Sequence, residues 1–175
     1  MSAMRRYLEF VARTPVLIVS LVVAVLLGAA FQTLPLVGEM LDVRQGYDHS
    51  EVMAAMEQFG EAGRRVYFWA SASLDTLFPI AVFSLLAGLI FRLRPNERLS
   101  MLALVPVAGA LFDFGENIQI MAMLAGYPGI STTQVAAASA FTQLKWLAIN
   151  ASFLLVIGLG ATALLRRTLR ARQER

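Results

Sequence analysis

The chain has 175 residues, 58% of them apolar and 15% charged, with a mean hydropathy of +0.64. A soluble domain averages roughly 45–50% apolar and about 25% charged residues, so this composition excludes a disordered chain and points to a membrane protein. With no cysteine and one histidine, His49, it also excludes disulfides, thiolate metal sites, a cysteine nucleophile and a histidine cluster.

The first apolar run is Val16 to Leu34, entered by Thr14 and Pro15 and left at Pro35. Thr14 reads as its N-cap, with Pro15 at the first helical position. The basic start before it resembles a signal peptide. The run is longer than a typical signal core, however, and Leu27-Gly28-Ala29 is a poor cleavage site, so residues 14–34 are read as the first transmembrane helix. Residues 37–65 form the one long polar connection. Within it Asp48 and Glu51 have capping-box spacing and Val52, Met53, Met56 and Phe59 follow at helical spacing, which predicts a short amphipathic helix on the membrane face.

Three further apolar runs are read as helices over 66–91, 99–124 and 133–165. The first ends at Arg92-Leu93-Arg94-Pro95-Asn96 and the second at Tyr127-Pro128-Gly129, both turn sequences. Short links make neighbours antiparallel, so the expectation is all-α: a polytopic membrane protein, an up-down bundle of four transmembrane helices forming a single domain with a basic tail over 166–175.

The pI near 9.8 is a nucleic-acid signal only if the basic residues cluster on one surface. They do not. Arg5, Arg6, Arg13, Arg92, Arg94, Arg98, Arg166, Arg167, Arg170, Arg172 and Arg175 flank the helix ends of one side, whereas Arg44, Arg64, Arg65 and Lys145 belong to the other. This asymmetry puts both termini in the cytoplasm of a cell whose inner membrane the protein spans, and it leaves no expectation of a nucleic-acid partner. The basic tail attracts anionic lipid of the bilayer.

Charges inside the apolar runs carry the functional information, since each costs at least about 2.5–3.5 kcal/mol at bilayer depth. Asp75 lies about 14 Å below Val66 and Asp113 about 16 Å below Leu124, which are matching depths. Asp113, Glu116 and Asn117 are spaced i, i+3 and i+4, so they project from one helix face. Arg64, Ser71 and Asp75 share a stripe in the second run, with the guanidinium about 16 Å above the aspartate. Lys145 lies about 30 Å above Leu165, near the outer mouth. Pro79 removes the hydrogen bond to the Asp75 carbonyl, which must find a partner in Ser71, a neighbouring helix, water or a ligand.

Asp75, Asp113 and Glu116 are therefore the candidate acid–base residues, and Asn117, Lys145, Arg64, Ser71 and Tyr67 the candidate ligand-binding ones. Three readings stay open. The cluster is a structural network neutralised by Lys145; or a site for a small, lipid-like or cationic ligand, where paired carboxylates suit acid–base chemistry; or the coupling site of a proton- or cation-linked transporter. No ligand spacing for a metal and no cofactor motif is present. Ala24-xxx-Gly28 and Gly158-x-Gly160 permit close helix contact, within the bundle or in a homo-oligomer. Tyr67, Trp69, Tyr127 and Trp146 read as an aromatic belt.

Overall fold

The computed structural model describes residues 3–173, all of them helix, turn or loop. The chain opens with α1 (Ala3–Val11), a helix that the sequence reading left as basic flank. Nine residues are too few for a stable isolated helix. Packing supplies the stability, because Leu8 and Val11 are buried against Ala87, Ile90 and Phe91.

Helix α2 (Thr14–Phe31) carries Pro15 at its start, with Arg13 rather than Thr14 as the N-cap, and it ends three residues short of the expected Leu34. The chain then runs through a single 3₁₀ turn, Leu41–Val43, to α3 (His49–Ala72). The capping box expected from Asp48 and Glu51 is formed: the Glu51 amide donates to Asp48 Oδ1 at 2.8 Å and the Asp48 amide donates to Glu51 Oε2 at 2.7 Å. The amphipathic segment is longer than expected. It continues through a kink at Gly60, whose φ of 62° is a left-handed conformation that favours glycine, to a break at Ser73.

That break divides the run expected as one helix over 66–91. Hydroxyls at Ser73 and Thr76 compete for the backbone and satisfy what the break exposes: Ser73 Oγ donates to the Trp69 carbonyl at 2.6 Å, and Thr76 Oγ1 lies 3.1 and 3.2 Å from the Ser71 and Ala72 carbonyls. Helix α4 (Leu74–Leu93) starts there, with Asp75 in its first turn, where a carboxylate meets the positive end of the helix dipole. A 3₁₀ stretch, Glu97–Ala103, replaces the expected start of the third helix, and α5 (Leu104–Gly126) follows it. Helix α6 (Thr132–Gln173) does not stop at Leu165. Its 42 residues make it about 63 Å long, and the expected basic tail is its last turns. Arg175 lies outside the described residues.

Helices α4, α5 and α6 pack mutually, α2 lies mainly against α4, and α3 covers α5 and the start of α6. Two apolar clusters close the ends of this bundle. One, at the α3 end, joins Leu41, Val52, Met56 and Tyr67 to Ile120, Met123 and Val135; the other, at the α1 end, joins Leu8, Val11, Ile90, Phe91, Ala103 and Leu159. Between them lies a buried polar layer of Ser71, Asp75, Asp113, Glu116, Asn117, Thr142, Lys145 and Ser152.

The outside is apolar where a soluble bundle would be charged: Val25, Leu26, Leu111, Ile118, Leu154 and Ile157 are all more than 60% exposed. Four helical stretches, Thr14–Phe31, His49–Leu93, Glu97–Gly126 and Thr132–Leu169, are long and apolar enough to cross a membrane. Gly158 and Gly160 face open space, so the close approach expected of them is not used within the bundle, whereas a Cβ on Gly28 would make only ordinary contact with Phe78 at 3.8 Å. Tyr67 is buried, whereas Trp69 is 64% exposed.

Candidate functional site

Pro79 has the expected effect on α4. The carbonyl of Asp75 is released from the helix, and the neighbouring helix takes it up: Asn117 Nδ2 of α5 donates to it at 2.7 Å. The same amide nitrogen stands 3.4 Å from Asp113 Oδ1. Asn117 thereby ties the two aspartate-bearing turns together, and both aspartates line one cavity.

Lys145 reaches inward from α6. Its ammonium lies 2.5 Å from Glu116 Oε2 and donates to the Asp42 carbonyl at 2.9 Å. Thr142, one turn away on α6, donates to the other Glu116 oxygen, Oε1, at 2.6 Å. Glu116 is thus held by a salt bridge and a hydroxyl, and the single ammonium is committed to it. The Tyr47 hydroxyl extends the chain of contacts, 3.2 Å from Thr142 Oγ1. Burial pushes the Tyr47 phenol well above the ordinary tyrosine value, so it remains protonated.

A fourth carboxylate comes from outside the helices. Asp42, in the 3₁₀ turn, is buried, and Tyr67 of α3 anchors it: the phenol donates to Asp42 Oδ1 at 2.6 Å and accepts from the amides of Leu41 and Asp42 at 3.0 and 3.3 Å. Lys145, through the Asp42 carbonyl, and Trp146, whose indole donates to the Arg44 carbonyl at 2.8 Å, fasten this turn onto α6.

Beneath the turn lies a cavity of about 450 Å³. Glu39, Asp42, Asp75, Asp113 and Lys145 provide its charged lining, Glu39 being paired with Arg44 at 3.7 Å; Gly28, Phe31, Met40, Phe78, Trp146 and Ile149 are among its apolar walls. Phe31 of α2 and Phe78 of α4 meet edge to face at 5.7 Å along one wall. The 3₁₀ turn, α2, α4, α5 and α6 all contribute to its lining, and α2 rests on α4 without extensive contact with α6.

The sequence-derived candidates separate accordingly. Asp75, Asp113 and Lys145 face the cavity. Glu116 and Asn117 stand behind it as the partners that hold Lys145 and the Asp75 turn. Tyr67 is also behind, positioning Asp42. Ser71 is buried with its hydroxyl unpartnered and does not line the cavity. Arg64 is not brought to the site: the break at Ser73 ends the stripe it was expected to share with Asp75, and its guanidinium donates to the Met56 carbonyl at 2.7 Å and stacks over Tyr127 at 4.3 Å.

In the sequence Asp42 is one of many acids in a polar connection. The signal available was its setting, an aspartate between Leu41 and Val43 inside an otherwise polar stretch. Among the described residues no group of three or more His, Asp or Glu side chains is arranged to hold a metal ion. Compared with protein-family models, curated proteins and solved structures, the chain matches none.

Proposed function

We propose that this protein is a multi-pass membrane protein, both termini cytoplasmic, that binds a small amphiphile with a cationic head and an apolar body in the outer half of its bundle. The four apolar helices and their exposed hydrocarbon support the membrane setting, and the arginine asymmetry supports the orientation. One observation carries the ligand reading: the 450 Å³ cavity is lined by three aspartates, while the only ammonium in its lining is already engaged by Glu116. A packed structural network leaves no such space, and ligand sites occupy roughly 300–1,000 Å³.

The uncompensated carboxylates of Asp75 and Asp113 receive an ammonium group, and Phe31, Phe78 and Ile149 cover hydrocarbon. An apolar body suits entry from the bilayer. Asp75 and Asp113 are also the groups placed to exchange a proton with a bound ligand, which is where acid–base chemistry would reside. The interruption of α3–α4 next to Asp75 favours a second reading, cation-coupled transport, because broken helices beside buried carboxylates build the ion sites of many transporters.

Calorimetric titration of the protein in nanodiscs with octylammonium, 1-octanol and octanoate, each corrected for empty discs, tests the binding reading. The expected order is octylammonium first, at least about tenfold tighter than octanol, with Asp75→Asn/Asp113→Asn bringing it to the level of the alcohol, since each charge-assisted contact is worth about 1.5–3 kcal/mol. Equal binding of amine and alcohol, or a folded double variant with undiminished preference, overturns it. Uptake of the amine into sealed proteoliposomes, driven by a pH gradient, identifies the transport reading instead.

A further inference from the structure

A second pocket, of about 350 Å³, lies at the α1 end of the bundle, where the last turn of α4 and the turn after it meet α6. Four guanidiniums border it: Arg92 and Arg94 from the end of α4, Arg166 and Arg167 from α6, with Leu93 and Thr162 beside them. None of its lining residues is acidic. Arg92 is steadied by donating to Thr14 Oγ1 at 2.8 Å. Arg94 stacks on Phe91, donates to the Phe91 carbonyl and pairs with Glu97 at 2.5 Å. Arg166 and Arg167 have no ion-pair partner among the described residues, so at least three positive charges remain uncompensated around one cavity.

We infer that this pocket binds a phosphate group. Guanidinium forks match phosphate oxygens bidentately and stay charged at every physiological pH, and several of them around one cavity without an acidic neighbour attract an anion. Two of the four are held in place before any ligand arrives, which lowers the ordering cost of binding. The position selects the source. Leu164 and Leu165, 65% and 58% exposed, immediately precede Arg166, and Ile157 and Leu154 continue an apolar flank along α6. A phospholipid places its phosphate among the arginines and lays its chains along this flank; a soluble phosphate compound uses the arginines alone. The lipid source rests on the membrane reading above, whereas the phosphate chemistry does not. The site is independent of the aspartate cavity at the other end.

The test is intact-complex mass spectrometry of the full chain, delipidated in a non-ionic detergent and titrated with phosphatidylglycerol or phosphatidylcholine. Glycerol 1-phosphate serves as the soluble competitor. The expected result is preferential retention of phosphatidylglycerol, reduced about 10- to 30-fold by Arg166→Gln/Arg167→Gln, since each basic residue near an anionic lipid contributes roughly fivefold. The charge-matched variant Arg13→Gln/Arg98→Gln, off the pocket, retains the wild-type preference. Competition by glycerol 1-phosphate at millimolar concentration marks the phosphate itself as sufficient and a soluble compound as a source; its absence, with lipid preference intact, marks the phospholipid. Equal retention of the two lipids overturns the proposal, and equal losses in the two double variants overturn it in favour of diffuse charge attraction. Circular dichroism of each variant verifies that helix content is unchanged, and all four substituted arginines lie on the surface.

Discussion

The two ends of the bundle are built by opposite means. At the α1 end, helices meet so closely that a Cβ on Gly88 would lie 2.4 Å from the Val11 carbonyl oxygen and 2.8 Å from Leu17 Cδ2; hydrocarbon fills the core there, and the arginine pocket lies outside it. At the α3 end, Gly28 has space around it, and buried carboxylates, an ammonium and a loop surround a cavity. Close packing contributes stability without a partner molecule. Around the cavity packing is given up locally, and each buried charge there must be matched by a specific neighbour or by a ligand. Inside the bundle the comparison assigns stability to one end and ligand recognition to the other, the arginine pocket lying on the surface of the packed end, and substitutions in the interior divide along the same line.

The largest effect is expected from Lys145→Met. It leaves Glu116 as an uncompensated buried carboxylate and unfastens the Asp42 turn, so the bundle should lose about 3–5 kcal/mol in reversible unfolding. Lys145→Met/Glu116→Leu should recover most of that loss, because apolar residues of similar volume replace a buried pair at little cost. A single variant as stable as wild type would mean that the polar end is not a matched network.

Next comes Gly88→Ala at the packed end. The added carbon meets backbone, which cannot rotate away as a side chain can, and overpacking of this kind costs about 1–3 kcal/mol. Faster tryptic cleavage at Arg13 should report the displacement of α1, while octylammonium affinity stays at the wild-type value. A loss of affinity equal to that at the polar end would erase the distinction between them.

Tyr67→Phe sharpens the comparison from the polar side. It removes the phenol between Asp42 Oδ1 and the Leu41 and Asp42 amides, so a stability loss of about 1–2 kcal/mol is expected from unpaired buried groups. Octylammonium binding should weaken with it. Stability lost without affinity would restrict Asp42 to holding the turn.

The smallest effect concerns the exposed cap of α3. Hydrogen bonds from the Ser50 hydroxyl and the Glu51 amide hold the Asp48 carboxyl below its ordinary range. A depressed folded-state value means that the stabilisation is present above the unfolded aspartate pKa, near 4, and is lost as pH falls through the folded one. The difference in melting temperature between wild type and Asp48→Asn should therefore be visible at pH 6 and shrink below pH 4. A difference that persists at pH 3 would assign the cap to geometry rather than charge.

Much of this was legible in the residues alone, because local rules act between near neighbours. Apolar runs of membrane-spanning length have few alternatives to helix. The capping box needs only Asp48 and Glu51, and the orphaned Asp75 carbonyl needs only Pro79. The face shared by Asp113, Glu116 and Asn117 follows from helical spacing.

What tertiary structure decided lies between residues far apart in sequence. Asp42 joins Lys145 across 103 positions and Tyr67 across 25, and no periodicity relates a loop residue to a helix packed against it. The break at Ser73 was invisible for a related reason: an apolar run continues across it, and hydroxyls at Ser73 and Thr76 satisfy the interrupted backbone from within. That break turned Arg64 away from the site. The nine residues of α1 become a helix only against α4, since the free energy that holds them comes from the burial of Leu8 and Val11 and not from their own helix propensity.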